Sequence, residues 1–250
     1  MTKITILSLI AGVAGTGIGG LFGIVFADKG KKFVSCVLNF AAGIMLAMVF
    51  LNLIPTALTQ SDTPQIKLIV LVGVVLGGAG IYLLNLAING VNLRVHAVNT
   101  DNTAKNFLKS GIILFLAISL HNIPEGLALG CFGVNDNENV IVFTALLALH
   151  NLPEGMAISL PLRKGGTGRT KSVLLSVLGG AMTVLGAVLG FLIGNVAPVT
   201  NSFFLAIAAG AMLVVTFVEV IPQAFDGSED FSFLFVPIGA IVGAALIFLV

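Results

Sequence analysis

Apolar positions in this chain come in long runs, and short polar segments separate them at intervals of about one bilayer crossing. Eight such runs stand out, at about 4–26, 33–58, 67–91, 108–132, 140–161, 172–194, 201–223 and 232–250. Each is close to the roughly 20 residues that an α-helix needs to cross the hydrocarbon of a membrane. The first follows Lys3 as a signal peptide would, but it is long and glycine-rich and has a counterpart later in the chain, so it reads as a spanning helix. The pattern predicts an all-α integral membrane protein with eight transmembrane helices. Composition agrees: 57% of the 250 residues are hydrophobic and 9% are charged, against about 25% charged in soluble domains.

Charge predicts orientation. Lys29, Lys31 and Lys32 fall in the loop at 27–32, Arg94, Lys105 and Lys109 in the loop at 92–109, and Arg163, Lys164, Arg169 and Lys171 in the loop at 162–171. With eight spans these three loops share one side, which the positive-inside rule makes cytoplasmic. Both termini are then non-cytoplasmic, in a multi-pass protein of the cell membrane. No basic patch with interleaved aromatics suggests nucleic acid. Cys36 and Cys131 lie in apolar runs without metal-binding spacing and read as small buried hydrophobes.

An internal repeat organises the spans. AAGIMLAMVFLNLIPTA from Ala41 lies on AAGAMLVVTFVEVIPQA from Ala208, an offset of 167 that pairs Gly43 with Gly210, Met45 with Met212, Asn52 with Glu219 and Pro55 with Pro222. The same offset pairs Thr16, Gly19 and Gly23 with Thr183, Gly186 and Gly190, and a one-residue shift extends it to Val75 over Ile241. Spans one to three (1–91) thus resemble spans six to eight (172–250), with two central helices (108–161) between them. An odd number of spans separates the repeat starts, so the repeats enter the membrane from opposite faces. This 3+2+3 inverted repeat, within a single transmembrane domain, is a transporter architecture with its substrate site near the midplane.

Only three of the eleven acidic residues, Glu125, Glu154 and Glu219, lie inside apolar runs. Intramembrane acids usually face the protein interior and mark a pathway or a pair. The central helices carry HNIPEG at His121 and HNLPEG at His150. His121 and Glu125, like His150 and Glu154, are four apart and share one helix face. Two imidazoles and two carboxylates from adjacent helices make a mixed N/O site that suits zinc or iron(II), whereas magnesium prefers oxygen alone. Pro124 and Pro153 each deprive the carbonyl four residues back of its partner, predicting a bend and a carbonyl available to the ion path. Gly126 and Gly155 admit close approach, and Asn122 and Asn151 point about 100° round their helices, towards an adjacent subsite. Asn52 and Glu219 are candidates for an interhelical bond, a gate or a functional role. Met45, Met48 and Met212 read as membrane core rather than soft ligands, and His96 as a solvated loop residue. Asp136 and Glu138, between the motif helices, either concentrate cations at an entrance or are ordinary loop polarity.

At HNIPEGLALG and HNLPEGMAISLPL the chain resembles the Zrt/Irt-like (ZIP) metal transporters, and is most similar to their bacterial-type, short members. AAGIMLAMVFLNLIP, LGAVLG and AAGAMLVVTFVEVIP extend the resemblance over nearly the whole chain. It implies eight spans with both termini outside and entry of divalent transition metals into the cytosol. It also implies a primary site of His121, Glu125, His150 and Glu154, with Asn122 and Asn151 contributing to a second. The chain departs from the family where an acid often precedes LGA, here Thr183 and Val184, and where NLIPTA leaves Asn52 and Thr56 neutral. The segment 92–109 also lacks a histidine-rich stretch.

The expected function is therefore zinc uptake, with iron(II), manganese or cobalt as further cargoes. The metal is transported substrate, no prosthetic group is implied, and the protein is not an enzyme. The expected partners are divalent metal ions and the bilayer; a homodimer is compatible with the sequence, though no residue specifies one. Two other classes fit the pattern less well. An intramembrane metalloprotease would want HExxH, which HNxPE does not supply. The alternative is a metal-binding membrane sensor without transport, against which the inverted repeat argues.

Overall fold

The computed structural model describes residues 1–26, 31–59, 64–90, 102–134, 139–194, 197–225 and 231–248, and among these all regular structure is helical. Eight helical rods follow one another: α1 (Thr2–Val25), α2 (31–59), α3 (Pro64–Gly90), α4 (Asn102–Gly133), α5 (Asn139–Lys164), α6 (Arg169–Gly194), α7 (198–225) and α8 (Ser232–Phe248). The first seven contain stretches long and apolar enough to cross a membrane, while α8 is a shorter apolar helix among the described residues. The fold is thus all-α and multi-span, as the hydrophobic runs predict.

Helix ends differ from the apolar runs in an instructive way. α4 begins at Asn102, not near 108, and α5 continues past Pro161 to Lys164. Lys105, Lys109, Arg163 and Lys164, expected in loops, are therefore helical. Hydropathy detects where apolar residues stop, but a helix can continue into the headgroup layer, where long basic side chains reach water. Lys164 Nζ stands 5.7 Å from the Phe107 ring centre, so these ends of α4 and α5 adjoin. Between α5 and α6 the chain reverses through Gly166, whose φ of 89° favours glycine. The Gly165 and Gly166 amides donate there to the carbonyls of Pro161 and Arg163.

Three rods contain a widened π segment: Leu9–Ala14 in α1, Met48–Leu53 in α2 and Thr216–Val220 in α7. The last two end just before Pro55 and Pro222. Proline lacks an N–H and its ring crowds the preceding turn, and a wider turn relieves that crowding. The π segment of α1 has no proline.

The rods pack in pairs: α1 with α5, α4 with α6, α3 with α7, α2 with α8, and α4 with α5. Lipid offers apolar side chains as good a solvent as the protein interior, so helices associate through close packing, which small residues allow. At Gly155 the place a Cβ would occupy is filled by the Thr16 carbonyl, and at Gly19 by that of Leu152. Gly126 and Gly186 meet the carbonyls of Thr183 and Ile123 in the same way. Burial ranks the helices: 72% of the apolar window of α5 lies inside the protein, against 28% for α3. α5 is central, and α3 turns Leu68, Leu71, Val75 and Leu83 outward. The Ser176 hydroxyl in α6 donates to the Gly155 carbonyl at 3.0 Å, adding a polar tie to α5. Ser176→Ala is expected to cost about 1 kcal/mol or less, seen as a small fall in thermal midpoint with the fold retained.

Candidate metal site

Glu125 on α4 and His150 on α5 meet across the helix pair, with His150 Nε2 2.9 Å from Glu125 Oε1 and both side chains fully buried. Glu154, one turn beyond His150, brings its Oε1 to 3.8 Å from the same nitrogen. The ligand atoms of these three residues all lie within 4.8 Å of one another, the arrangement of a divalent-metal site among the described residues. Donors on one tetrahedral zinc stand about 3.3 Å apart, so closure onto an ion calls for about an ångström of movement.

The imidazole is oriented from behind. His150 Nδ1 lies 3.1 Å from the Leu146 carbonyl, and since a carbonyl only accepts, Nδ1 carries the hydrogen and donates. The second nitrogen is left to face the carboxylates. This backbone-fixed tautomer is the usual support of a metal-ligating histidine. His121 occupies the equivalent turn of α4, but its side chain lies outside the described residues.

Asn122 and Asn151, beside the histidines, are both fully buried. The Asn122 amide nitrogen donates to the Gly179 carbonyl on α6 at 3.1 Å, and that of Asn151 to the Ala11 carbonyl on α1 at 2.8 Å. Ala11 sits in the π segment of α1. A carbonyl can face only the NH₂ side of an amide, so both side-chain orientations are fixed. The two Oδ1 atoms are buried without a hydrogen-bond partner, a state that costs free energy unless something else faces them. Sequence alone placed these residues next to a site but did not give their anchors. The glycines that bring α1 and α6 close were the available signal.

Pro124 and Pro153 lie inside uninterrupted helices. Asn52 is buried in the π segment of α2 with its Oδ1 unpartnered, and Thr183 is fully buried with no partner for its hydroxyl. Met45, Met48 and Met212 are core residues; the Thr216 hydroxyl donates to the Met212 carbonyl at 2.7 Å and lies 3.7 Å from the Met45 sulfur. Cys131 is fully buried and Cys36 half-buried, and both are free thiols. His96, Asp136, Glu138 and the Glu219 side chain lie outside the described residues.

Comparison with known proteins agrees with this geometry. The profile of the family described as ZIP Zinc transporter matches residues 95–250, which include both motif helices. The chain belongs to the ZIP family. It is 31% identical to the zinc transporter ZupT of Corynebacterium aurimucosum, over 96% of this chain and 92% of that one. It is 32% identical to ZupT of Chlorobaculum parvum, over 96% and 93%, and 31% identical to ZupT of Escherichia coli, over 88% and 85%. This ZIP protein is accordingly a transmembrane carrier of divalent metal ions and not an enzyme, and the metal is its cargo.

Proposed function

We propose that this ZIP protein takes up zinc into the cytoplasm by binding it between α4 and α5. His121, Glu125, His150 and Glu154 are its ligands, and Asn122 and Asn151 offer their Oδ1 atoms to an adjoining subsite. The observation that carries the reading is the buried approach of Glu125 to His150 across the two helices. It joins residues from both copies of the motif into one donor set. Thr183 stands where members of the family often carry an acid, and a neutral hydroxyl gives the subsite no charge to offset a second dication. The reading is of one principal ion.

The 3+2+3 inverted repeat is supported by reciprocal contacts. Gly126 meets Thr183 and Gly155 meets Thr16; Gly186 meets Ile123 and Gly19 meets Leu152. Exchanging each residue for its repeat partner converts one contact of each pair into the other. In the outer pairs, Gly43 meets Val236 and Gly210 meets Val74, while Gly239 meets Phe40 and Gly77 meets Ile207. These contacts match Val74 with Val236 and Gly77 with Gly239, about one helical turn away from the match that sequence suggests for the third repeat helix. The basic loops support a cytoplasmic placement for the α1–α2, α3–α4 and α5–α6 connections, with both termini outside. Inward direction comes from the family resemblance, because a midplane site serves either direction. Release would follow rocking of the repeats about the site.

The test is zinc flux in proteoliposomes under imposed ion gradients, with iron(II), manganese and cobalt as competitors. Saturable zinc entry with partial competition is expected; binding without flux would leave a sensor in its place. Affinity is also expected to fall as pH drops from neutral into the acidic range, since a histidine must be neutral to ligate. Equal affinities at neutral and acidic pH would remove histidine from the ligand set.

A further inference from the structure

On the outer surface of α1 and α6, away from the metal residues, lies an apolar crevice of about 420 Å³ lined by Leu21, Ile24, Val173, Leu174 and Val177, with Arg169 and Thr170 at its end. Its origin is in the sequence. α1 and α6 run together where α1 offers glycine: a Cβ at Gly12 would strike the Gly180 carbonyl, one at Gly17 would lie 3.0 Å from Val177 Cγ2, and one at Gly20 2.8 Å from Ser176 Cβ. Beyond Gly20 this face of α1 offers Leu21 and Ile24, which line the crevice together with α6. From Arg169 to Val177 the helix rises about 12 Å. That is less than half of a hydrocarbon core of about 30 Å, so the crevice stays within one leaflet. The segment 162–171 carries Arg163, Lys164, Arg169 and Lys171 and no acid, and Arg169 and Thr170 are both exposed.

We infer that this crevice is a binding site for an anionic phospholipid, with an acyl chain against Leu21, Val173 and Val177 and the headgroup phosphate at the Arg169 guanidinium. A basic residue over an apolar slot between helices, on the side facing the anionic leaflet, combines the two features by which membrane proteins select such lipids. A planar guanidinium can hold two phosphate oxygens at once. A zwitterionic lipid fills the slot equally well but arrives with its phosphate already partnered by its own ammonium. The choice of leaflet rests on the orientation proposed above; the site itself does not.

Native mass spectrometry of the detergent-purified protein, titrated with phosphatidylglycerol and phosphatidylcholine of matched chains, tests this without any metal. Failure of the zinc reading would therefore leave its result untouched. Phosphatidylglycerol is expected to bind about fivefold more tightly. Arg169→Ala should erase that preference, Lys171→Ala should reduce it less, and Val173→Trp should weaken both lipids by filling the slot. Equal binding of the two lipids would overturn the site. So would a Lys171→Ala effect as large as that of Arg169→Ala, which would indicate diffuse surface charge, or no response to Val173→Trp in a variant that keeps the wild-type thermal midpoint.

Discussion

Glu125→Ala is expected to reduce zinc flux by more than 100-fold, and His150→Ala to do the same, with folded protein still recoverable. Merely mispositioning a metal ligand through its outer partners costs 10–100-fold, and these changes remove proposed ligands outright. Glu125 is the single described residue of α4 that reaches the donor group of α5, with its Oε1 2.9 Å from His150 Nε2. Without it the ion would face His150 and Glu154 from one helix only, plus whatever His121 supplies. Glu125→Gln separates charge from shape. It keeps an oxygen donor and the packing of a fully buried side chain but removes the negative charge that offsets the dication, so it should fall nearly as far as alanine. Asn122→Ala, which leaves the Glu125, His150 and Glu154 donors in place, should cost less. Initial rates of radioactive zinc uptake in proteoliposomes, normalised to monodisperse protein, decide this ordering. Wild-type rates in Glu125→Ala would dispose of the site assignment.

Much of this was legible in the sequence because membrane proteins declare their constraints openly. Backbone groups in hydrocarbon must bond within the helix, so apolar length alone predicts rods, and the cost of an intramembrane charge singles out Glu125, Glu154 and Glu219. Repetition of HN-PEG added the second histidine and both asparagines. Three things were not legible. Helix ends moved outward because hydropathy does not see turns that continue into the headgroup layer, as with Lys105 and Arg163. The π segment at Leu9–Ala14 has no proline to announce it, and with it the anchor from Asn151 to Ala11 was hidden. The match of α3 with α8 is the third, because sequence pairs Gly73 and Gly77 with Gly239 and Gly243, whereas the contacts that support the proposed repeat fit a match about one turn away.

The second large effect is expected at the glycine that follows each motif glutamate. Gly155→Val and Gly126→Val should abolish recovery of folded protein, and the alanine variants should fold poorly and lose most flux. A Cβ at Gly155 would sit on the Thr16 carbonyl and 2.8 Å from the Gly20 nitrogen; one at Gly126 would sit on the Thr183 carbonyl and 2.8 Å from the Ala187 nitrogen. Both obstacles are backbone of neighbouring helices, which cannot swing aside as a side-chain tip can, so the rods must separate. Overpacking of this kind costs about 1–3 kcal/mol or more, and alanine's better helix propensity returns only about 1 kcal/mol. Separation also moves the adjacent glutamate, since Glu154 and Glu125 each precede the displaced residue, and a site that needs about an ångström of closure has little tolerance for that. Gly80 is the control: nothing lies within 4 Å of a Cβ there, so Gly80→Ala should be neutral or stabilising by up to about 1 kcal/mol with full flux. Thermal midpoints and uptake rates for the three alanine variants test this dependence on backbone contact. A Gly155→Ala protein as stable and active as Gly80→Ala would mean that α1 and α5 do not depend on backbone contact to set the depth of the site.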